Sequence, residues 1–163
     1  MSVATVPAVG LWVPAAPFRS YVLHLMESAG VSWRVVAERA GVSAAAVRTL
    51  LFGRDGRPKR RLDRHTAAGL LAVTPAQLRA LRGLSVSAQP TRGLIGRLRD
   101  HGLTRVRVAE LLGSDAESVA QWEEGLAPTC PAVVEARARA AVAALGDCCR
   151  TPPGSGGRLP RRL

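Results

Sequence analysis

The residues of this chain best equipped for chemistry are its arginines, and the chemistry they suit is ion pairing with phosphate. The stretch GRDGRPKRRLDR, residues 53–64, sets Arg54, Arg57, Lys59, Arg60, Arg61 and Arg64 in a loop broken by Gly53, Gly56 and Pro58. Cations this dense, in a loop, match the backbone of a nucleic acid. Just upstream, Ser43, Ala44, Ala45, Arg48 and Thr49 form a short run of small or non-acidic residues. Arg48 is the long charged donor among them. A guanidinium bonds O6 and N7 of guanine together, and the methyls of Ala44 and Ala45 suit the methyl of thymine. Arg34 is read as a phosphate contact alongside the 54–64 loop, and Asp55 and Asp63 as local ion-pair partners or helix caps.

Catalytic constellations are not legible. His24, His65 and His101 are scattered, and Cys130, Cys148 and Cys149 form no C-x-x-C pair, so they read as free thiols of a reducing compartment. No glycine-rich loop carries the lysine and hydroxyl of a phosphate cradle, and no carboxylate pair sits in a cleft motif. The expectation is a protein that is not an enzyme and holds no cofactor and no metal.

The 43–49 run has to be carried outward on a helix, and its surroundings supply one. Residues 32–53, SWRVVAERAGVSAAAVRTLLFG, read as helix, tight turn, second helix. Ser32 and Ser43 are N-cap residues. Val35, Val36 and Ala40 are the buried stripe of the first helix, and Gly41 ends it in a left-handed turn. Val42 packs beneath the turn; Ala46, Val47, Leu50 and Leu51 face inward at helical spacing. Ala37 is small where the helices cross. This is the pattern of a helix-turn-helix, whose second helix enters the major groove.

Alanine, leucine and arginine dominate the 163 residues, while three Trp, one Tyr and two Phe are the only aromatics, so aliphatic packing must build an all-α core. The net charge of +11 points to a polyanionic partner, and it is uneven. Residues 1–90 carry 12 Lys/Arg against 4 Asp/Glu, residues 91–149 carry 7 against 8, and residues 150–163 carry four arginines and no acid. No stretch approaches the ~20 apolar residues of a membrane span. The apolar N-terminus lacks a basic leader and is broken by Pro7, Pro14 and Pro17. Cytoplasmic location, on the nucleoid when bound to DNA, is the expectation.

In chain order, residues 1–15 read as an irregular arm whose Val9, Leu11, Trp12 and Val13 fold back on a first helix-turn-helix domain, 16–83. Within that domain a helix carries Pro17 in its first turn, runs to about Ser28, and is closed by Gly30. A third helical segment spans Leu62 to Ala72, and Thr74-Pro75 opens a short helix ending near Gly83. Residues 84–90, LSVSAQP, read as a linker, 91–147 as a second domain closed by a helix from Pro131 to Leu145, and 148–163 as a disordered basic tail. The two domains are tandem copies. At an offset of 72 (Thr104 against Ser32), Ala109 falls on Ala37, Glu110 on Glu38, Gly113 on Gly41, Val119 on Val47, Trp122 on Leu50 and Gly125 on Gly53. The copies part in charge. Asp115, Glu117, Glu123 and Glu124 make the second reading helix acidic, with Arg92, Arg97, Arg99, Arg105 and Arg107 at the front of the unit.

The chain resembles the two-unit helix-turn-helix proteins of actinobacteria and actinobacteriophages, over roughly residues 12–145. The resemblance rests on WVPAAPFRSYV, on the 32–53 core, on RLDRHTAAGLLAVTPAQL, and on TRGLIGRLRDHGLT opening the second unit. The first unit is more distantly similar to the Cro and phage-repressor type of domain. What the resemblance implies is DNA binding, often in transcription regulation.

The reading is thus sequence-selective binding of double-stranded DNA by a transcriptional regulator, a repressor among such regulators. Ser43, Ala44, Ala45, Arg48 and Thr49 face base edges; Arg34, Arg54, Arg57, Lys59, Arg60 and Arg61 face phosphates. Two alternatives stand beside it: an architectural, nucleoid-type binder, favoured by the donor-poor reading helix, and a protein-interaction adaptor. The acidic second unit is read as a module for self-association or protein contact, or as a weak second dock on DNA.

Overall fold

A computed structural model describes residues 12–150, with side chains described for residues 12–146. The described residues are mostly helical and run through one element order twice. The first run is β1 (Trp12–Pro14), α1 (Ala16–Ala29), α2 (Trp33–Arg39), α3 (Ala44–Phe52), β2 (Arg61–Asp63) and α4 (Arg64–Leu71). After α5 (Pro75–Gly83) comes the second: β3 (Ser85–Ser87), α6 (Ala88–Asp100), α7 (Arg105–Leu112), α8 (Ala116–Glu124), β4 (Thr129–Pro131) and α9 (Ala132–Arg150).

Local chemistry sets the helix ends. Pro17 sits in the first turn of α1, and Val22, Leu25 and Ala29 are its buried face. Val35, Val36 and Ala37 bury α2. Gly41, at φ 64°, turns the chain, and the Val42 amide bonds back to the Ala37 carbonyl at 3.1 Å. Ser43 caps α3 by accepting from the Ala46 N–H at 3.1 Å. Val47 and Leu50 then face the core fully buried, with Ala46 and Leu51 half-buried beside them. Thr74 and Gln77 form a reciprocal capping box on α5.

Several expectations need correction. Ser32 has the extended backbone of a cap but makes no side-chain cap bond; its carbonyl already accepts from the Val35 and Val36 amides. Trp12–Pro14 is a strand, pairing antiparallel with β2 in the register Trp12↔Asp63, Val13↔Leu62, Pro14↔Arg61. Residues 1–11 of the expected arm, Val9 and Leu11 included, lie outside the described residues. The helix expected from Leu62 begins at Arg64, because Asp63 caps it by accepting from the Thr66 N–H at 2.8 Å. Residues 84–90, expected as a linker, hold β3 and the first turn of α6, with Val86 half-buried and Ala88 fully so. β3 pairs with β4 as Ser85↔Pro131, Val86↔Cys130, Ser87↔Thr129. α9 continues past Leu145 to Arg150, since no proline interrupts it before Pro152. Residues 151–163 lie outside the described residues.

The repeat is closer than a gapless sequence alignment indicates. α7 and α8 keep the offset of 72, yet α9 opens at an offset of 68 (Ala132 against Arg64). The difference lies in one connection. Residues 53–60 join α3 to β2, and the shorter stretch 125–128 joins α8 to β4. Equivalent backbone bonds follow each: Ala15 N–H to the Arg60 carbonyl at 3.0 Å, and Ala88 N–H to the Pro128 carbonyl at 2.9 Å.

The two runs share α9, which packs against α2 and α3 of the first and α6 and α7 of the second. Ala136, Ala138 and Ala140 are buried, small enough to let helices approach from both sides. A polar cluster lies in the α2–α9 seam. Arg139 holds Glu135, while its other nitrogen is 3.9 Å from a Glu38 oxygen. The second Glu38 oxygen is buried without a hydrogen-bond partner. Burial pushes the Glu38 carboxyl up, and Glu135 adds to this; Arg39 and Arg139 pull the other way and lose. Folded Glu38 therefore binds its proton more tightly than the unfolded chain does. Stability from this group rises as pH falls from that raised value into the ordinary carboxylate range, and is lost above it. Glu38→Gln is expected to stabilise the protein at pH 7 by about 0.5–1 kcal/mol, with the gain shrinking toward pH 5. Urea denaturation at both pH values checks this, and a destabilised Glu38→Gln at pH 7 would show the Arg139 pair to be net favourable.

Candidate nucleic-acid interface

α3 presents an open face. Ser43, Ala45 and Arg48 are exposed, and Ala44 and Thr49 are half-buried. Among the described residues no carboxylate pairs with Arg48. The Thr49 hydroxyl donates to the Ala45 carbonyl at 2.8 Å. That leaves it only lone pairs and a methyl to offer a ligand.

The basic stretch beyond α3 is a miniature hairpin. Arg54 and Arg57 exchange backbone bonds of 3.0 and 2.9 Å around Asp55 and Gly56. Both turn residues are left-handed, at φ 51° and 72°. Two such residues in succession make the tight type I′ turn that Asp-Gly favours. Gly53 anchors the base at φ 76°; a Cβ there would stand 2.3 Å from the Arg57 carbonyl oxygen. Arg54, Arg57, Arg60 and Arg61 are exposed and Lys59 is half-buried. Asp55 lies 3.9 Å from Arg54, a pair too open to water to neutralise the cluster. Asp63, at the end of β2, is the helix cap expected of it; the Thr66 N–H holds its carboxyl below the usual range.

One residue that sequence reasoning missed fixes this hairpin to α3. Arg19 of α1 donates from Nε to the Leu50 carbonyl at 2.8 Å and from Nη2 to the Lys59 carbonyl at 3.2 Å. It thereby ties the last turn of α3 to the exit of the loop. The repeat carried the signal. At the offset of 72, Arg19 falls on Thr91, which is buried and bonded to the Cys130 sulfur at 3.2 Å. Arginine occurs where the connection is long and basic, and threonine where it is short. Arg19→Met, which keeps the aliphatic stem, is expected to cost about 1 kcal/mol of stability, and Arg19→Lys to recover part of it by restoring one of the two bonds. Urea denaturation of the three proteins checks this; equal stability of Arg19→Met and wild type would show that the two bonds contribute nothing net.

Arg34 is exposed beside Trp33. Its guanidinium lies 5.0 Å from the centre of the Trp33 ring, which meets Phe52 edge-on at 6.3 Å. It also lines a cavity against α6, α7 and α9, toward the second run of elements.

The second run presents a different surface on α8. Asp115 is occupied as the helix cap, accepting from both the N–H and the hydroxyl of Ser118 at 2.7 Å, and these bonds lower its pKa. Three of the five arginines expected to make this unit's front positive are paired with its own acids, and Arg92 and Arg97 are exposed. Arg105 holds Glu123 at 3.1 Å and approaches Glu124 at 3.8 Å. Arg99 reaches Glu123 at 3.4 Å, and Arg107 holds Glu110 at 2.6 Å. Trp122 fills the place of Leu50, buried, with its indole N–H on the Thr129 carbonyl at 3.1 Å.

Among the described residues no three of His, Cys, Asp and Glu gather where one metal ion could be held. Cys130 is buried, and that burial pushes its thiol up. No described helix is long and apolar enough to cross a membrane. No family model, curated protein or solved structure matches the chain.

Proposed function

We propose that this chain is a helix-turn-helix protein that binds double-stranded DNA selectively and acts as a transcriptional regulator of the repressor kind. In this reading the two runs of elements are tandem helix-turn-helix units. The observation that carries it is the pairing of an open, acid-free α3 face with an immediately adjacent hairpin of exposed cations. Arg48 would read a guanine edge; Arg54, Arg57, Lys59, Arg60 and Arg61 would hold phosphates on the flanking backbone. The second unit, with Arg99, Arg105 and Arg107 paired to its own acids, serves as a buttress: its α9 backs α2 and so sets the angle of the first unit. Glu117 and Glu124 on α8 leave it available for a protein partner or a second copy more than for phosphate.

One observation favours an architectural binder instead. With Thr49 committed to its own helix, α3 offers few groups able to read a sequence. Selection of bound duplexes from a random pool separates the two. A regulator enriches a defined site and stays bound against excess random DNA; an architectural protein enriches none and is competed away.

A further inference from the structure

A cavity of about 160 Å³ opens where the two units meet. Leu98, Leu103, Leu111 and Leu145 wall it, and the alanines at 140, 141 and 144 on α9 leave its space unfilled. Its polar groups come from Ser32 and Arg34 at the start of α2 and from Arg137 on α9; no acid lines it. Apolar cavities of about this size take up a benzene-sized guest.

Arg137 gives the cavity a preferred charge. It is half-buried, and among the described residues no carboxylate pairs with it. Its Nη1 donates to the Leu112 carbonyl at 2.8 Å. The positive charge of Arg82 adds to the disfavour that burial imposes on it. A guanidinium withdrawn from water and bonded to a neutral carbonyl gains from an anion. Ser32, whose side chain makes no capping bond, lines the same space.

We propose that this cavity binds a small organic carboxylate whose apolar body is about the size of a six-membered ring, with the carboxylate on Arg137. The ring replaces empty space among leucines, and the charge supplies the missing counter-ion. The occupant touches α2 of the first unit together with α6, α7 and α9, so it bridges both. Binding to the folded chain alone raises its unfolding temperature. This goes beyond DNA recognition and does not depend on it.

The test uses the full chain without DNA, titrated calorimetrically with benzoate and with benzyl alcohol, which keeps the ring and lacks the charge. Benzoate is expected to bind saturably, one per chain, and to raise the unfolding midpoint. Benzyl alcohol is expected to bind at least about tenfold more weakly. Ala141→Met, at a half-buried position, fills the cavity and should abolish benzoate binding in a folded protein. Arg137→Met should bring benzoate down to the affinity of the alcohol. Should that variant not fold, the alcohol comparison and Ala141→Met still decide. Absence of saturable benzoate binding, equal binding by Ala141→Met, or alcohol binding as tight as benzoate would overturn the proposal.

Discussion

Exchanging Gly53–Arg60 for the Gly-Leu-Ala-Pro that occupies residues 125–128 is expected to leave the protein folded and to remove most of its DNA affinity. The second unit shows why the fold survives: the short connection there joins the same two elements and delivers the same backbone bond, Ala88 to Pro128 in place of Ala15 to Arg60. The exchange removes Arg54, Arg57, Lys59 and Arg60 together. Every cation taken off a phosphate flattens the slope of log affinity against log salt by about 0.9. Were all four on phosphate, the loss near 0.15 M salt would be on the order of a thousandfold, and the slope would fall by roughly 3.6. Titration of a duplex at several salt concentrations reads both numbers. Unchanged slope in a folded variant would place the phosphate-binding cations elsewhere.

The second large effect belongs to Arg48, and it differs in kind. Arg48→Ala should cost about 1–3 kcal/mol on the selected site, or about 5- to 150-fold in affinity, with little loss on random DNA. The reason is the proposed division of labour on the surface: the hairpin cations would pull on any duplex, whereas α3 carries one long donor among small residues. Specificity should therefore collapse while non-specific binding and its salt slope persist. An Arg48→Ala protein that selects the same motif as wild type would show that α3 does not read the bases.

Much of this surface is legible in the sequence alone. Helical spacing marks α1, α2, α3 and α5, because each carries an apolar face with a clear stop or start: Gly30, Gly41, Gly53, and the Thr74-Pro75 pair. The unread parts have physical reasons. Strands of three residues have no room for an alternating pattern, so β1 to β4 pass for arm, loop or linker. The Asp55-Gly56 hairpin is hidden because its flanks are arginines instead of the alternating apolar residues that usually accompany such a turn. Arg19 bonds to carbonyls 31 and 40 residues away, a partnership no local pattern encodes. The pairing of Arg99 and Arg105 with acids of α8 needs three dimensions as well. Its arginines and glutamates are visible in sequence, but Arg105 meets Glu123 only once α7 and α8 fold against each other.

The surface assignment can be tested most directly by mapping backbone amide shifts of the full chain while a duplex recovered by selection is added. The largest shifts are expected across residues 43–49 and 53–61, with α8 residues 116–124 nearly still. Shifts concentrated on α8, or an α3 and hairpin left unmoved by a bound duplex, would contradict the claim that the helix bearing Arg48 is the one that meets DNA.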